Sequence, residues 1–519
     1  MSRAMKHNIF ARKPLDMLLK EAEGEGEHRL KRVLGPVALS ALGVGAIIGT
    51  GIFVLTGVAA HDKTGPSLML SFVVAGVTCI FAALCYAEFA SMVPVAGSAY
   101  TYAYATLGEL FAWIIGWDLV LEYAVGSATV ATGWSGYFQN VLAKIGLAVP
   151  EAFRMSPWRY DNGRFVTTGC YMNLPAIVIV MIITVILVKG IQESATFNAT
   201  MVGIKVAAVI FVIIVGSMYI NKGNWHPFAP YGWTGLNFFG KHIAGMKNAG
   251  GEPVGMLAGA AIIFFAYIGF DSVSTHTEEA KNPQRDVPIG IVVSLIVCTV
   301  LYIAVVAVLT GMVRYDQLDI NAPVSLAFKT KGIGWAEAII ACAGVAGITS
   351  VMLVMMLSGP RVFLAMARDG LVSKSFFGDV HPKFRTPWKS TILIGCGVVL
   401  MAGFLPLDAL LLLTNIGTLF AFVIVCLAVL IMRKKYPQAE RPFRCPWVPF
   451  IPVMGVLSCL MLMFSLPAAN WFRLFVWMAL GLCIYFFYGR KHSVMTMELQ
   501  KEIAQHGAGG AYVTGTHER

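Results

Sequence analysis

Residues 43–53 read Gly43-Val-Gly-Ala-Ile-Ile-Gly-Thr-Gly-Ile-Phe53, a glycine-rich stretch inside a long apolar run. Ile48 follows Val37 by 11 residues, so it lies about 17 Å into a helix, near the middle of a hydrocarbon core of about 30 Å. Two interpretations are open. Gly45-x-x-x-Gly49 matches the small-residue pattern of tightly packed membrane helices, and the glycines could also interrupt the helix.

The whole chain is too apolar for a soluble protein. Of its 519 residues, 57% are hydrophobic and 13% are charged, whereas an average soluble domain carries about 25% charge. Apolar runs of helical or featureless period, each long enough to cross a bilayer, predict twelve spans. They lie near residues 37–60, 67–92, 109–142, 174–190, 194–221, 254–280, 288–311, 336–366, 388–404, 406–432, 450–467 and 470–489.

The basic residues predict the orientation. If the N-terminus is cytoplasmic, 26 of the 39 Lys and Arg lie on the cytoplasmic side, 12 lie in outer loops, and Lys205 lies inside a span. The positive-inside rule then places both termini in the cytoplasm. The net charge of +11 indicates topology and attraction to anionic lipid, not nucleic-acid binding, because the basic residues are scattered over six segments. The ten cysteines have no metal-site spacing, and neither a metal nor another cofactor is expected.

The sixth span contains a second interruption. Residues 264–271 read Phe264-Phe-Ala-Tyr-Ile-Gly-Phe-Asp271, and Phe265 follows Val254 by 11 residues, again at mid-depth. The two interruptions lie five spans apart, and since five is odd, a duplicated five-helix unit would re-enter the membrane inverted. Paired glycine interruptions in corresponding spans are typical of a transporter's binding site. The sequence therefore favours two broken helices.

The chemistry of such breaks points to a zwitterion. A break leaves N–H groups without partners where one half-helix begins and C=O groups without partners where the other ends. In lipid these groups cost several kcal/mol each, so they persist only where they line a cavity. The N–H groups and the positive end of the helix dipole suit a carboxylate, and the C=O groups suit an ammonium. An amino acid carries both charges on one carbon.

Three motifs together resemble a known group of transporters. They are residues 45–53, residues 264–271 and the segment Glu278-Glu-Ala-Lys-Asn-Pro-Gln-Arg-Asp-Val-Pro288. In this order, over roughly residues 30–490, they are similar to the amino acid–polyamine–organocation (APC) superfamily, and closest to the bacterial relatives of its cationic amino acid transporters. The resemblance implies an all-α membrane protein with a five-plus-five inverted-repeat core, two further helices and alternating access.

The resemblance also implies a division of the chain and a set of binding residues. The first repeat would span residues 37–221, the second 254–433 and helices 11 and 12 450–490, with tails at 1–36 and 491–519. The substrate carboxylate would contact Thr50 and Gly51, and the amino group would contact the carbonyls of Ile47, Phe265 and Ile268, with Phe265 also closing over the substrate. The pocket for the substrate side chain would include Glu122, Gly126, Asp271, Tyr302 and Met355.

Lys205 is the most informative charged residue. It lies 11 residues into the fifth span, level with the first interruption, where a lysine is costly and mid-span depth argues against snorkelling. We expect the protonated amine to bind freed carbonyls of the first span, and Thr349 or Ser350 of the eighth to support it. Loss of the proton would loosen this bridge between helices, which predicts proton coupling.

Several acidic residues remain ambiguous from sequence. Asp118 and Glu122 lie four residues apart on one helix face. Because two carboxylates repel in a low dielectric, one of them is expected to be protonated or paired. Glu122 is favoured as a residue of the substrate pocket, and Asp118 as a helix-packing contact. Asp271 could cap the second half of the sixth span, bind substrate, or do both. Glu88 is expected to snorkel to the interface or to contact a gate.

The segment 278–288 is predicted to be cytoplasmic, with a turn at Asn282 and a helix start near Pro288. Its acids and Asp271 could pair with Arg361 or Arg368, either as a gate or as a static staple.

The predicted function is proton-coupled amino acid transport across a bacterial cytoplasmic membrane. Acids near the pocket would suit arginine, lysine or polyamines, while Met355 and Gly126 favour small neutral or broad specificity. A receptor or channel on the same fold is a remote alternative. The sequence contains no H-E-x-x-H or phosphate-binding motif, so an enzyme is not expected. Expected partners are the amino acid, protons and lipid; whether a small single-helix membrane protein also binds is open.

Overall fold

The computed structural model describes residues 9–14, 34–92, 98–161, 164–190, 195–238, 241–248, 251–277, 280–320, 322–495 and 497. Most of the described part of the chain is helical. Its α-helices are α1 (Pro36–Ile47), α2 (Thr50–Phe53), α3 (Leu55–Ala59), α4 (Leu68–Met92), α5 (Ser98–Thr106), α6 (Glu109–Lys144), α7 (Leu174–Lys189), α8 (Ala195–Ser217), α9 (Met256–Ile263), α10 (Ser272–Thr275), α11 (Pro283–Met312), α12 (Pro323–Thr330), α13 (Gly334–Arg368), α14 (Lys374–Phe377), α15 (Trp388–Phe404), α16 (Leu407–Lys435), α17 (Phe450–Phe464), α18 (Ala468–Ile484) and α19 (Arg490–His492).

Among the residues that the structure describes, six short strands form three antiparallel hairpins between helices. The first hairpin lies between α6 and α7, and the other two lie between α8 and α9. They are β1 (Trp158–Asp161) with β2 (Arg164–Thr167), β3 (Leu236–Phe238) with β4 (Lys241–Ala244), and β5 (Met246–Lys247) with β6 (Pro253–Val254).

Eight helical segments in the described part of the chain are long and apolar enough to cross a membrane, and α1, α7, α15 and α17 are shorter apolar helices. The twelve-span count therefore stays a prediction. One of the eight, Leu55–Met92, has 38 residues, or about 57 Å, nearly twice the hydrocarbon thickness. It is not one regular helix, because a π-turn at Ala60–Thr64 and a 3-10 turn at Gly65–Ser67 interrupt it, and Gly65 has a φ of 65°.

Helices that are five predicted spans apart pack against each other. α6 contacts α13, α4 contacts α11, and α7 contacts α15, while the segments around the two interruptions also contact one another. α16 packs on α6 and α4 as well. In the described part of the chain, four of the five pairs of spans that are five apart are thus in contact, and α8 and α16 are the exception.

The outside of the bundle is apolar, as the composition requires. On α7, for example, Val178, Met181, Ile182 and Val185 are 40–53% exposed. Such a stripe on a helix of a membrane protein faces lipid.

Both described ends of the chain pack at the same end of the bundle, where α6 begins and α13 ends. The Lys13 ammonium lies 2.7 Å from the Asp369 carboxylate, and the Glu109 N–H donates to the Ala11 carbonyl at 2.9 Å. The Ser493 hydroxyl donates to the Glu109 carboxylate. Most of the predicted tails, 1–36 and 491–519, lie outside the described residues.

Candidate functional site

The first predicted break is present between α1 and α2. The helix ends at Ile47, Ile48 and Gly49 are extended, and a new helical segment begins at Thr50. A Cβ at Gly49 would lie 2.6 Å from Val351 Cγ2 of α13. The glycine is therefore required by the close approach of another helix, while its extended backbone by itself would accept any residue.

The second break lies between α9 and α10. After Ile263 the chain makes one 3-10 turn, and Gly269 then adopts a φ of 118° before α10 begins at Ser272. A Cβ on Gly269 would lie 2.9 Å from the Ala46 carbonyl oxygen. Positive φ and the close approach together make glycine necessary there.

The two breaks touch and form one site. A Cβ on Gly51 would lie 2.4 Å from both Cα and Cβ of Ala266. The Tyr302 hydroxyl lies 2.8 Å from the Ile47 carbonyl oxygen and 3.1 Å from that of Ala266. Since a hydroxyl carries one proton, it donates to one of these carbonyls at a time. Tyr302 was predicted to line the side-chain pocket, and the structure places its hydroxyl between the two broken helices.

The site is closed to solvent in this conformation. Residues predicted to bind substrate are at most 4% exposed, and these are Ile47, Thr50, Glu122, Phe265, Ile268, Asp271, Tyr302 and Met355. A ligand could reach these buried residues only if the segments around them moved.

Lys205 bonds to the first break. Its ammonium, on a side chain that is 1% exposed, donates to the Gly45 carbonyl at 2.5 Å. The stem of the side chain runs beside Gly347 of α13, where an added Cβ would lie 3.3 Å from Lys205 Cγ. Lys205 therefore lies between the broken helix and α13.

Thr349 and Ser350, predicted to support Lys205, have hydrogen bonds of their own. The Thr349 hydroxyl donates to the Val345 carbonyl at 2.7 Å and accepts from the Trp134 indole at 2.8 Å. The Ser350 hydroxyl donates to the Gly347 carbonyl at 3.2 Å. A direct role of these two residues in holding Lys205 stays a prediction.

Two residues that sequence reasoning missed bond to other freed carbonyls. The Asn415 amide of α16 donates to the carbonyls of Ala261 and Ile262 at 2.9 Å each. The Tyr137 hydroxyl donates to the Phe53 carbonyl at 2.6 Å. An asparagine and a tyrosine inside apolar helices gave no pattern that could have revealed these contacts.

The amide end of the first break has donors available. The first helical hydrogen bonds after it run from the Ile52 and Phe53 N–H groups to the Gly49 carbonyl, 3.2 Å each, so the amides of Thr50 and Gly51 precede the helical ladder. The Thr50 hydroxyl oxygen is buried and has no hydrogen-bond partner in the described part of the chain. These groups could bind an anionic ligand.

Three acids lie near the breaks. Asp271 accepts hydrogen bonds from the Tyr123 hydroxyl at 2.8 Å and from the Gly269 N–H at 3.2 Å, and its side chain does not cap α10. Glu122 and Asp118 are 3% and 1% exposed, and their four carboxyl oxygens have no hydrogen-bond partner among the described residues. The hydroxyl of Thr418 is the polar neighbour of Glu122.

The predicted side-chain pocket is closely packed where Gly126 meets Met355. A Cβ at Gly126 would lie 3.3 Å from Met355 Sδ and 3.8 Å from Thr414 Cγ2. Met355 thus faces the bare backbone of α6 at this point. Little room remains between them for a large side chain.

Glu88 does not snorkel, so that part of the prediction is wrong, whereas a gate contact stays a prediction. It is 1% exposed, and it pairs with Arg433 at 2.6 Å and with Arg441 at 3.3 Å. It also accepts the Cys445 N–H at 2.8 Å. The physical reason is that the segment after α16 covers this end of α4 and supplies the positive charge that a buried carboxylate needs.

The predicted ion pairs of the 278–288 segment are not seen where they can be examined. Glu278 and Glu279 lie outside the described residues. Asp286 is buried and accepts the Asn282 N–H at 3.2 Å, which makes it part of the turn that begins α11.

Comparison with known proteins places these features in context. The model of the family described as "Amino acid permease" matches residues 34–487. The chain is 47% identical to the branched-chain amino acid permease BcaP and 44% identical to the methylthioribose transporter, both of Bacillus subtilis; each match covers 94% of this chain and 99% of the relative. It is 31% identical to the vacuolar cationic amino acid transporter 4 of Arabidopsis thaliana, covering 94% of this chain and 96% of the relative. These relatives are named as transporters or permeases, which confirms the prediction that the chain is not an enzyme.

Proposed function

The chain belongs to the amino acid permease family, a group of multi-pass membrane proteins, and we propose that it carries amino acids by alternating access, coupled to protons. The observation that carries this proposal is the contact between the two breaks, where Gly51 meets Ala266. One side of that contact has amide donors and the other has carbonyls. These are the two groups that a zwitterionic α-carbon requires.

The proposed binding geometry follows from these groups. The substrate carboxylate binds the amides of Thr50 and Gly51 and the Thr50 hydroxyl. The ammonium binds main-chain carbonyls near Ile47, Phe265 and Ile268. The Phe265 carbonyl already accepts the Ile268 N–H at 3.1 Å and the Ile47 carbonyl lies near the Tyr302 hydroxyl. The ammonium therefore shares these acceptors or displaces the hydroxyl, which can turn to Ala266.

The proposed substrates are neutral amino acids with small or medium side chains. Met355 Sδ would lie 3.3 Å from a Cβ on Gly126, closer than an ordinary van der Waals contact, so the pocket ends in an apolar wall. A relative that is 47% identical is named as a branched-chain amino acid permease, which supports an apolar substrate.

Two other substrate classes have specific support. The unpaired carboxyl of Glu122 would suit arginine or lysine, and the plant relative is named as a cationic amino acid transporter. The relative at 44% identity is named as a methylthioribose transporter. A thio-sugar has no carboxylate and no ammonium, so it would leave the groups of the two breaks unused.

Proton coupling is proposed through Lys205. Its protonated amine holds the Gly45 carbonyl beside α13. Loss of the proton removes a charge-assisted hydrogen bond and frees the first half-helix to move. The bundle core would be the five-plus-five inverted repeat, which the packing of helices five spans apart supports. We further propose a bacterial plasma membrane location with both termini in the cytoplasm.

The test uses the full chain, purified and reconstituted in liposomes. Labelled alanine, leucine, arginine and methylthioribose are offered in counterflow exchange without a pH gradient, and then with an inward proton gradient. We expect exchange of alanine or leucine, and accumulation only with the gradient, in the absence of sodium. Exchange of methylthioribose alone would refute an amino acid function. Equal accumulation with and without the gradient would refute proton coupling and leave amino acid transport standing.

A further inference from the structure

Asp118 is a buried charge for which the proposed binding geometry has no use. It lies one helical turn before Glu122 on α6, is 1% exposed, and neither of its oxygens has a hydrogen-bond partner in the described part of the chain. Its carboxyl instead lies against α16, where an added Cβ at Gly417 would be 2.6 Å from Asp118 Oδ1. A buried acid costs free energy, and packing against a glycine does not by itself require an acidic side chain.

No basic group offsets this charge among the residues that the structure describes. α6 packs against α2, α5, α7, α13, α15, α16 and α18, and none of the ion pairs formed by these helices includes Asp118 or Glu122. The charged groups that act on Glu122 are both acids, Asp271 and Asp118. The surroundings thus contain negative charge, tyrosine and threonine hydroxyls and apolar side chains.

Such a pair cannot stay fully ionised. A carboxylate without a partner in an apolar interior is costly, and two acids one turn apart in low dielectric repel one another. The least costly states have a proton on one or both carboxyls. Asp118 and Glu122 can therefore hold a proton without a counter-ion. Because their oxygens are not hydrogen-bonded in this conformation, a proton passes between them only when a side chain rotates or water enters.

The position of Asp118 along α6 gives this transfer a direction. Four residues separate it from Glu122, or about 6 Å, and nine separate it from Glu109, or about 13.5 Å. Glu109 marks the end of the bundle where both described chain ends pack. Asp118 thus lies between the substrate pocket and that end, which is the predicted cytoplasmic side.

We propose that Asp118 and Glu122 form a proton relay that carries the coupled proton from the substrate pocket to the cytoplasmic end of α6. This rests on the proton coupling in the proposed function and adds the route by which the proton leaves. The proton moves from the protonated Glu122 carboxyl to the Asp118 carboxylate. Glu122 then takes up the next proton from the substrate pocket, and only after that does Asp118 release its proton to water that enters when the cytoplasmic side opens. One proton therefore leaves per cycle, and the pair never carries two negative charges.

The test compares Asp118→Asn, which keeps the shape and cannot ionise, with Asp316→Asn as the matched control. Asp316 has an exposed side chain paired with Arg314 at 3.1 Å. In liposomes containing a pH-sensitive dye we measure counterflow exchange, gradient-driven accumulation and proton movement on addition of substrate. For D118N we expect exchange close to wild type, but proton movement reduced by about 100-fold, the lower end of what a positioned proton carrier contributes. D316N should behave as wild type in all three.

Each other result has a definite meaning. If D118N accumulates substrate and moves protons as wild type does, the relay is refuted. If a folded D118N loses exchange along with accumulation, Asp118 serves substrate binding or helix movement, and the relay is again refuted. Should D118N fail to fold, Asp118→Ser, smaller beside Gly417, must give the outcome expected for D118N. A wild type that exchanges amino acids without proton movement refutes the relay and leaves transport intact, whereas no exchange at all refutes the proposed function.

Discussion

Substituting Gly51 with alanine tests whether the two breaks act as one site. The added Cβ would lie 2.4 Å from Cα and Cβ of Ala266, well inside the contact distance of about 3.5–4.0 Å between carbon atoms. The clash involves backbone as well as side chain, so the broken helices must move apart by about 1 Å. Overpacking of this kind costs about 1–3 kcal/mol, and a loss of about 1.4 kcal/mol corresponds to a tenfold loss of affinity.

The predicted outcome is therefore a fall in apparent amino acid affinity of about 5- to 160-fold. The assay is the concentration dependence of counterflow uptake, together with substrate-induced thermal stabilisation of the purified protein. Gly203→Ala is the matched control, because a Cβ at Gly203 on α8 would meet nothing within 4 Å. Alanine favours a helix over glycine by about 1 kcal/mol, so a purely local effect would stabilise G51A. If G51A binds and transports as G203A does, the breaks do not form one tightly apposed site.

Three further substitutions test other parts of the structure. Lys205→Ala should abolish gradient-driven accumulation while counterflow at equal pH continues, because the ammonium that holds the Gly45 carbonyl at 2.5 Å is gone; accumulation like that of wild type would refute the coupling role. Met355→Ala should lengthen the pocket beside Gly126 and shift preference toward bulkier apolar amino acids. The ratio of leucine to alanine uptake should rise by about 10- to 200-fold, the range for small changes in a hydrophobic pocket. Glu88→Gln should leave Arg433 and Arg441 without their buried counter-charge and destabilise the protein by about 3–5 kcal/mol. The measurement is thermal unfolding in detergent. As a control, Glu151→Gln, at a side chain that is 91% exposed, should leave stability unchanged.

The breaks could be predicted from sequence because their signal is local. Glycines lie at mid-depth of two long apolar runs, and the two runs together favoured broken helices over a simple packing motif. Gly49 and Gly269 do lie where the helices end. Lys205 was recognisable for the same reason, since a lone lysine at the centre of a span is costly wherever the chain folds.

Apart from Lys205, the side chains that bond to the breaks could not be predicted, because they are distant in sequence and carry no unusual residue type. Asn415 bonds to a carbonyl 154 positions away, and Tyr123 bonds to Asp271 across 148 positions. Neither residue type is unusual in a membrane helix, so no periodicity marked them. The snorkelling prediction for Glu88 failed for a related reason. Its two arginines come from α16 and the segment after it, and no local sequence pattern indicated that this segment packs over α4.

The Gly51–Ala266 contact also bears on the ancestry of the molecule. Residues up to the end of α8 contain the amides of the first break and Lys205, but neither Ala266 nor the carbonyls of the second break. Residues from α9 onward contain Ala266 and Tyr302 but no Thr50. The proposed amino acid site therefore draws on groups from both halves of the chain. If the chain arose by duplication of a five-helix ancestor, that ancestor worked as a pair of antiparallel copies, and fusion into one polypeptide allowed the two halves of the site to diverge, with Lys205 in only one of them.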